Sequence, residues 1–312
     1  MTGFEWYQGK SGRLTRFLIG SFAALSVMAV VLVTALFFLD LGILRGQIEA
    51  GGSRAFDRQM TIEGAMSLKP SLRPWFVAED VRIGNPDWAS RPDFAHVERL
   101  EVQLALLPLL LGRLEVLDVV FSGADVRFEV GAGDSNNFTF GRRTGPPELP
   151  DIQRFKVRDT MLAYRDADGE LHTCRVREAE AMNTPGQPIS LAGQLACREV
   201  PLRFSVSAGT PEGFESRTSP WPLQLTVSTG DASLTAEGLL PKPRFWDGAE
   251  FRVSVQAERL DSLENLFDIA LPVPGSFDLS AKLRTSAEAY SVSGLEGRIG
   301  ATDITGALDW IR

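Results

Sequence analysis

The strongest constraint on the fold is a two-residue period in the placement of apolar side chains, which recurs in one short segment after another. Such alternation is typical of β-strands that have one apolar and one polar face. Turn signals such as Asp168-Gly169, Pro185-Gly186 and Thr229-Gly230-Asp231 separate the segments, and short connections favour an antiparallel meander. The apolar positions that share a face within these predicted strands are Leu100, Val102, Leu104, Val126, Phe128, Phe204, Val206, Leu223, Leu225, Val227, Phe251, Val253, Val255, Phe277, Leu279 and Leu283.

An uncharged apolar segment, residues 17–39, precedes the predicted strands. A helix of this length spans roughly 34 Å, which is enough to cross a bilayer. Lys10, Arg13 and Arg16 precede the segment and Asp40 follows it, so the positive-inside rule keeps the N-terminus in the cytoplasm and exports the rest of the chain. We therefore expect a single-pass transmembrane helix. A cleaved signal peptide is the alternative, although its apolar region usually has only about 7–15 residues.

The exported part is divided by residues 141–150, a stretch rich in Pro and Gly that is typical of an exposed linker. The predicted organisation is a cytoplasmic tail (1–16), the transmembrane helix (17–39), a first β unit (40–140), the linker (141–150) and a second β unit (151–312). Helical patterns are few: residues 40–50 extend the anchor, and residues 262–269 give about two turns. Residues 104–111, interrupted by Pro108, are expected to form a buried helical turn or strand end.

The composition offers little for catalysis. Lys and Arg number 32 against 40 Asp and Glu, which argues against a non-specific nucleic-acid binder, and two Cys and two His are too few for zinc frameworks. His96 and His172 lie far apart in the sequence. Asp166, Asp168 and Glu170 resemble the start of a calcium loop but lack its later ligands, so a hairpin turn is the preferred interpretation. We expect no enzyme activity, no metal and no cofactor.

The two cysteines, Cys174 and Cys197, form a disulfide or remain two buried free thiols, and the sequence leaves both outcomes open. A two-residue turn centred on Pro185-Gly186 places them directly opposite each other in adjacent strands. The same register makes Thr184 and Gln187 a hydrogen-bonded pair. Strand alternation then puts the cysteines at a hydrogen-bonded site, where Cβ atoms lie farther apart and a disulfide is less favoured.

Five short segments follow one another in a fixed order over most of the chain: residues 60–64 (MTIEG), 78–86 (AEDVRIGNP), 104–116 (LALLPLLLGRLEV), 134–140 (DSNNFTF) and 295–308 (LEGRIGATDITGAL). Together they resemble the N-terminal region of the AsmA family of bacterial envelope proteins, which are relatives of TamB. The chain departs from the family pattern at Phe138, where Trp is usual, and at Asp134, which no Gly follows.

This resemblance implies a bacterial inner-membrane anchor followed by an elongated, twisted antiparallel β-sheet, curved into an apolar groove in the periplasm. It also implies a role in outer-membrane assembly, with membrane phospholipid as the partner and the sixteen apolar positions above as the groove. A non-enzymatic scaffold that binds outer-membrane assembly proteins is the alternative function, and a two-sheet sandwich is the alternative fold. Many family members are longer and this chain ends inside a predicted strand, so a truncated copy is one interpretation.

Overall fold

The computed structural model describes residues 41–69, 71, 73–111, 113, 115–131, 135–140, 152–166, 168–215, 220–241, 247–259, 275–286 and 289–311. The helices in this part of the chain are α1 (Leu41–Phe56), α2 (Leu106–Leu110) and α3 (Pro211–Glu215). The strands are β1 (Met60–Ile62), β2 (Met66–Lys69), β3 (Trp75–Gly84), β4 (Asp93–Leu104), β5 (Val116–Glu129), β6 (Ile152–Arg165), β7 (Leu171–Met182), β8 (Ser190–Cys197), β9 (Val200–Ala208), β10 (Trp221–Thr229), β11 (Ala232–Leu240), β12 (Glu250–Ala257), β13 (Phe277–Thr285), β14 (Ala289–Ile299) and β15 (Thr302–Ile311). The prediction of a mainly β protein with few helices is confirmed.

These fifteen strands belong to one open, twisted sheet. They lie side by side in chain order from β3 to β15, and both β1 and β2 pair with β3. All neighbours are antiparallel except β5 and β6, which pair in parallel. The predicted meander is therefore confirmed on both sides of this pair and wrong at the pair itself. β5 and β6 start at the same end of the sheet because Val116 pairs with Ile152, and the predicted linker between them lies outside the described residues.

The strand ends form two rims of the sheet. The α2 rim, named after the helix that lies on it, is marked by Lys69, Trp75, Leu104 and Val116. The opposite rim is marked by Gly84, Asp93, Glu129 and Arg165. Each strand runs from one rim towards the other, so a residue's place along its strand gives its place between the rims.

A line of irregular positions crosses the sheet from β3 to β7. Asp80, Gly123 and Asp159 lie on this line with φ angles of 53°, 62° and 47°, in the left-handed region that most strands avoid. Alternation changes phase across the line, because Ala78 and Val81 both contribute to the same core cluster. A strictly alternating strand would place these two residues on opposite faces. The irregular line therefore keeps the apolar residues of both strand halves on one face.

Helix α1 closes the free edge of β1. Arg45, Glu49 and Ser53 recur every four residues and so share one side of the helix. Met60 N donates a hydrogen bond to Ser53 Oγ at 2.8 Å, Ile62 N donates to Glu49 Oε1 at 2.8 Å, and Arg45 Nη1 donates to the Ile62 carbonyl. Side chains of the helix thus satisfy backbone groups that an exposed edge strand would leave available for pairing with another chain.

The predicted transmembrane helix, residues 17–39, lies outside the described residues, as does the predicted helix at residues 262–269. Within the described part of the chain, no helix is both long enough and apolar enough to span a bilayer. From Leu41 onward the expected helix at residues 40–50 is present as α1, which continues to Phe56; its predicted continuity with the anchor lies outside the described residues.

The expectation of a buried turn at residues 104–111 is only half correct. Leu106 is buried, but Leu107 is 74% exposed and Leu111 is 73% exposed. Pro108 lies inside the short helix α2, and the backbone N–H of Leu111 donates to the Pro108 carbonyl at 3.0 Å. The turn after β4 therefore points part of its apolar surface away from the sheet.

Candidate functional site

The sixteen apolar positions predicted from sequence all lie on one face of the sheet. Cross-strand partners in a β-sheet project to the same side. The register, together with alternation along each strand, places these residues on the same face. One row runs from β2 to β13 through Leu68, Phe76, Val102, Val119, Phe155, Ala181, Leu191, Val206, Leu225, Ala236, Val253 and Ala281. No polar side chain interrupts this row, which at about 4.8 Å per strand is roughly 53 Å long.

A second row runs beside the first, two residues farther from the α2 rim. It passes through Ala78, Leu100, Phe121, Val157, Ala179, Gly193, Phe204, Val227, Leu234, Val255, Leu279, Gly297 and Ile304. This row also contains only apolar residues and glycine. We call the surface formed by the two rows and the other sequence-predicted positions the apolar face.

Most of the apolar face is only partly covered. Phe251 is buried, but the other fifteen sequence-predicted positions are half-buried. In the described part of the chain, extensive packing joins neighbouring strands and holds α1 against β1 and β2, and no second sheet lies over the first. A large apolar surface of this kind normally meets a partner, a ligand or a membrane lipid.

The β1 end of the apolar face is filled by protein. Ile48 and Phe56 of α1 pack on the core cluster there. Phe140 lies edge-on to Phe56 and to Phe94, with ring centroids 5.7 Å and 5.1 Å apart. The Arg58 guanidinium lies 5.0 Å from the Phe140 ring centroid, and burial lowers its pKa from the ordinary value. The β1 end is thus a protein core, and the open surface begins beyond it.

The opposite face of the sheet carries ion pairs within strands and between neighbouring strands. Arg99 contacts Glu79 at 3.1 Å and Glu101 at 2.8 Å. Further along, Glu180 contacts both Arg154 and Lys156, at 3.2 Å and 3.3 Å. Pairs exposed to this degree add little stability. They give this face a mainly polar surface, although Val77 and Val120 on the same face are buried.

Cys174 and Cys197 are bonded to each other, and both lie on the apolar face. They are directly opposite, and Gln187 N donates to the Thr184 carbonyl at 3.0 Å. The prediction that the cysteines occupy a hydrogen-bonded pair is wrong. The Cα atoms are 4.2 Å apart, which fits the roughly 4.5 Å of a non-hydrogen-bonded pair better than the roughly 5.5 Å of the other kind. The reason is a one-residue register shift between Val176 and Glu178. Beyond this shift, positions that would have been hydrogen-bonded pairs become non-hydrogen-bonded pairs.

We expect the disulfide to contribute measurably to stability. It joins residues 23 apart in sequence, and closing a loop of this size stabilises a fold by about 2–4 kcal/mol. Alkylation of the folded protein without reductant should add no mass, and the double variant Cys174→Ala with Cys197→Ala should unfold at lower denaturant concentration. Two alkylated thiols in unreduced protein isolated from the envelope would contradict the expectation.

The hairpin between β6 and β7 brings together three side chains that could hold a cation. The ligating atoms of Asp166, Glu170 and His172 lie within 4.8 Å of one another. The predicted hairpin turn is present, with Gly169 N donating to the Asp166 carbonyl at 3.1 Å. The N–H of Glu170 and the His172 ring lower the pKa of the Asp166 carboxyl. His172 also stacks on Tyr164, with ring centroids 6.3 Å apart, so it has partners that its sequence context did not indicate.

His96, the other histidine, contacts an aspartate within the sheet. Its Nε2 lies 2.6 Å from Asp80 Oδ1, on the irregular line of the sheet. This contact lowers the pKa of the Asp80 carboxyl, and the charge of Arg82 lowers it further. Asp80 therefore has a left-handed backbone and contacts two side chains, His96 and Arg82. These contacts lie on the polar face at the irregular line.

Comparison with known proteins identifies the N-terminal region. The family model of the AsmA family matches residues 13–142. This region is an AsmA family domain. The chain is similar to the AsmA family protein YhjG of Escherichia coli (strain K12). The two sequences are 23% identical, and the alignment covers 96% of this chain. The match covers 49% of YhjG, so the chain spans about half the length of this curated relative. No solved structure matches the chain.

Two of the AsmA-like segments hold each other in place. The side chain of Asn137, in the DSNNFTF segment, is fully buried. Its Nδ2 donates to Asn85 Oδ1 at 3.0 Å and to the Arg127 carbonyl at 2.8 Å, and its Oδ1 accepts from Glu129 N at 2.7 Å. Asn85 belongs to the AEDVRIGNP segment. The resemblance thus rests in part on residues that tie the end of β5 to the turn after β3, a role that sequence spacing did not reveal.

Proposed function

We propose that this protein is anchored in the bacterial inner membrane and binds phospholipid acyl chains along the apolar face in the periplasm. Conduction of these lipids contributes to outer-membrane biogenesis, and the protein does this without enzymatic chemistry. The observation that carries the proposal is the pair of uninterrupted apolar rows, which extend across twelve or more strands with no polar side chain. An AsmA family domain at residues 13–142 supports the envelope location.

The dimensions of the apolar face suit an acyl chain. In β12 the apolar side runs from Phe251 to Ala257, and six residue steps at about 3.4 Å give a width of roughly 20 Å. One leaflet of a bilayer has a hydrocarbon thickness of about 15 Å. A whole acyl chain can therefore lie on the face between the two rims, while the phosphate headgroup stays at a rim or in solvent.

Movement along the face requires that neighbouring positions offer similar environments. An acyl chain that moves by one strand leaves one apolar side chain and contacts another, as from Leu225 to Ala236 and then to Val253. Burial of apolar area is non-directional and depends chiefly on the area removed from water. A chain of similar apolar positions consequently presents no deep trap and no polar barrier to a sliding acyl chain.

Site-specific photocrosslinking in cells tests the proposal. A photoreactive side chain at Val253 or Val255, on the apolar face, should capture phospholipid. The same group at Ser254 or Gln256, which pair with Thr235 and Ser233 on the polar face, should capture none or several-fold less. Equal capture from both faces would contradict a lipid surface. Capture of proteins alone from the apolar face would instead favour the scaffold function.

A further inference from the structure

The α2 rim carries the two most exposed large apolar side chains among the described residues. Leu107 and Leu111 are 74% and 73% exposed, and a spacing of four residues places them on the same side of a helical turn. Leu106 points the other way and is buried. The turn is therefore anchored by one leucine and presents two others to the surroundings.

Three cations lie on the same rim as these two leucines. Lys69, Arg73 and Arg113 are exposed on the same rim. Arg73 and Pro108 line one cleft of about 460 Å³, whose lining also includes Glu115, Asp118 and Arg154. Arg73 therefore lies beside α2, and the two acids lie near the start of β5. The described residues of 66–75 and 105–113 contain these three cations and no Asp or Glu. Exposed leucines flanked by Lys and Arg are the combination that binds the surface of a membrane containing anionic lipids.

The N-terminal end of α1 is directed towards the same rim. Ser53, near the end of α1, bonds to Met60, whereas Arg45, near its start, bonds to Ile62 and to the Gly64 carbonyl at 2.8 Å. The chain runs from β1 through Gly64 into β2, which ends at the α2 rim at Lys69. The N-terminal end of α1 thus points towards the α2 rim, and the predicted transmembrane segment immediately precedes α1 in the sequence.

We propose that Leu107 and Leu111 enter the surface of the bilayer beside the predicted anchor, with Lys69, Arg73 and Arg113 at the phosphate level. This contact holds the α2 rim against the membrane and sets Leu104 and Val102, at the end of β4, beside the lipid. Acyl chains then pass from the bilayer to the apolar face at β3 to β5. The proposal rests on the proposed anchored, lipid-binding function and adds the surface through which lipid enters.

Fluorescence quenching by lipid tests this contact in the full chain. Single variants Leu107→Cys and Leu111→Cys carry an environment-sensitive NBD label and are reconstituted into vesicles of phosphatidylethanolamine and phosphatidylglycerol. Leu171→Cys is the matched control, because Leu171 is also an exposed leucine but starts β7 at the opposite rim. Brominated acyl chains should quench the labels at 107 and 111 by half or more and leave the label at 171 nearly unchanged.

Two outcomes would overturn the proposal. In vesicles that float with the protein, absent quenching at 107 and 111 excludes bilayer contact. A blue-shifted emission that brominated lipid does not quench would assign these leucines to a protein contact, such as a second copy of the chain. Neither result affects lipid capture at Val253 and Val255. The proposal of a membrane contact and the proposal of a lipid-binding face are therefore tested independently. The double variant Leu107→Asn with Leu111→Asn should fold normally and reduce lipid capture at Val102 several-fold.

Discussion

Val255→Asp should leave the protein folded and reduce phospholipid capture at Val253 about tenfold or more. Val255 is half-buried on the apolar face and pairs with Leu234 and Leu279. A carboxylate on a water-accessible face stays hydrated when no lipid is bound, but an acyl chain lying over it would strip that water at a cost of several kcal/mol. Each 1.4 kcal/mol lowers affinity about tenfold. Purified variant protein is analysed by photocrosslinking and by denaturant unfolding.

Two matched variants isolate the effect of charge on the apolar face. Val255→Leu keeps the position apolar and should retain lipid capture and stability. Ser254→Asp introduces the same carboxylate one residue away on the polar face and should also retain lipid capture. If Val255→Asp unfolds the protein as a buried charge would in a close-packed sandwich, and no lipid is captured in any variant, the apolar face is a dry core and the lipid proposal is wrong.

Asn137→Ala should lower the free energy of unfolding by about 2–4 kcal/mol, because removing the amide leaves several buried polar groups without a partner. These groups are Asn85 Oδ1, the Arg127 carbonyl and the Glu129 N–H. A domain that is stable by only about 5–15 kcal/mol would lose a large part of its stability. Denaturant unfolding in detergent measures the change.

The neighbouring Asn136→Ala serves as the control. Asn136 Oδ1 accepts a solvent-exposed hydrogen bond from Thr139 Oγ1 at 2.7 Å, and removal of the side chain should change the free energy of unfolding by less than about 0.5 kcal/mol. Similar effects for both variants would show that Asn137 has no special structural role. Proteolysis of Asn137→Ala should begin near the end of β5, where the lost bonds lie.

Much of the fold follows from local pattern alone. Alternation identified the strand positions in β4, β5, β9, β10, β12 and β13, because a strand with one wet face must repeat apolar residues every second position. Turn residues identified the β6 to β7 and β10 to β11 connections, where Gly169 and Gly230 have φ angles of 85° and 50°. The AsmA resemblance, carried by segments in a fixed order, is confirmed at residues 13–142.

The irregular positions escaped prediction because their cause is not local. Asp80 and Asp159 adopt left-handed backbones, which a short polar side chain tolerates but does not require. The register shift near Val176 changed the site type of the disulfide, and sequence gives no signal for one skipped residue. Likewise the partners of Asn137 are 8 to 52 residues away, so its role depends on how β3 and β5 approach each other.

Residue type and period alone were enough to predict a mainly β protein, the apolar side of the six strands named above and the scarcity of catalytic groups. That the separate apolar sides join into one surface could be seen only in the folded chain. That outcome depends on register across every strand pair, on the parallel β5 and β6, and on the irregular line that restores phase in β3 to β7. Register is a relation between distant segments, and a single shift of one residue would have moved a strand's apolar side to the wet face.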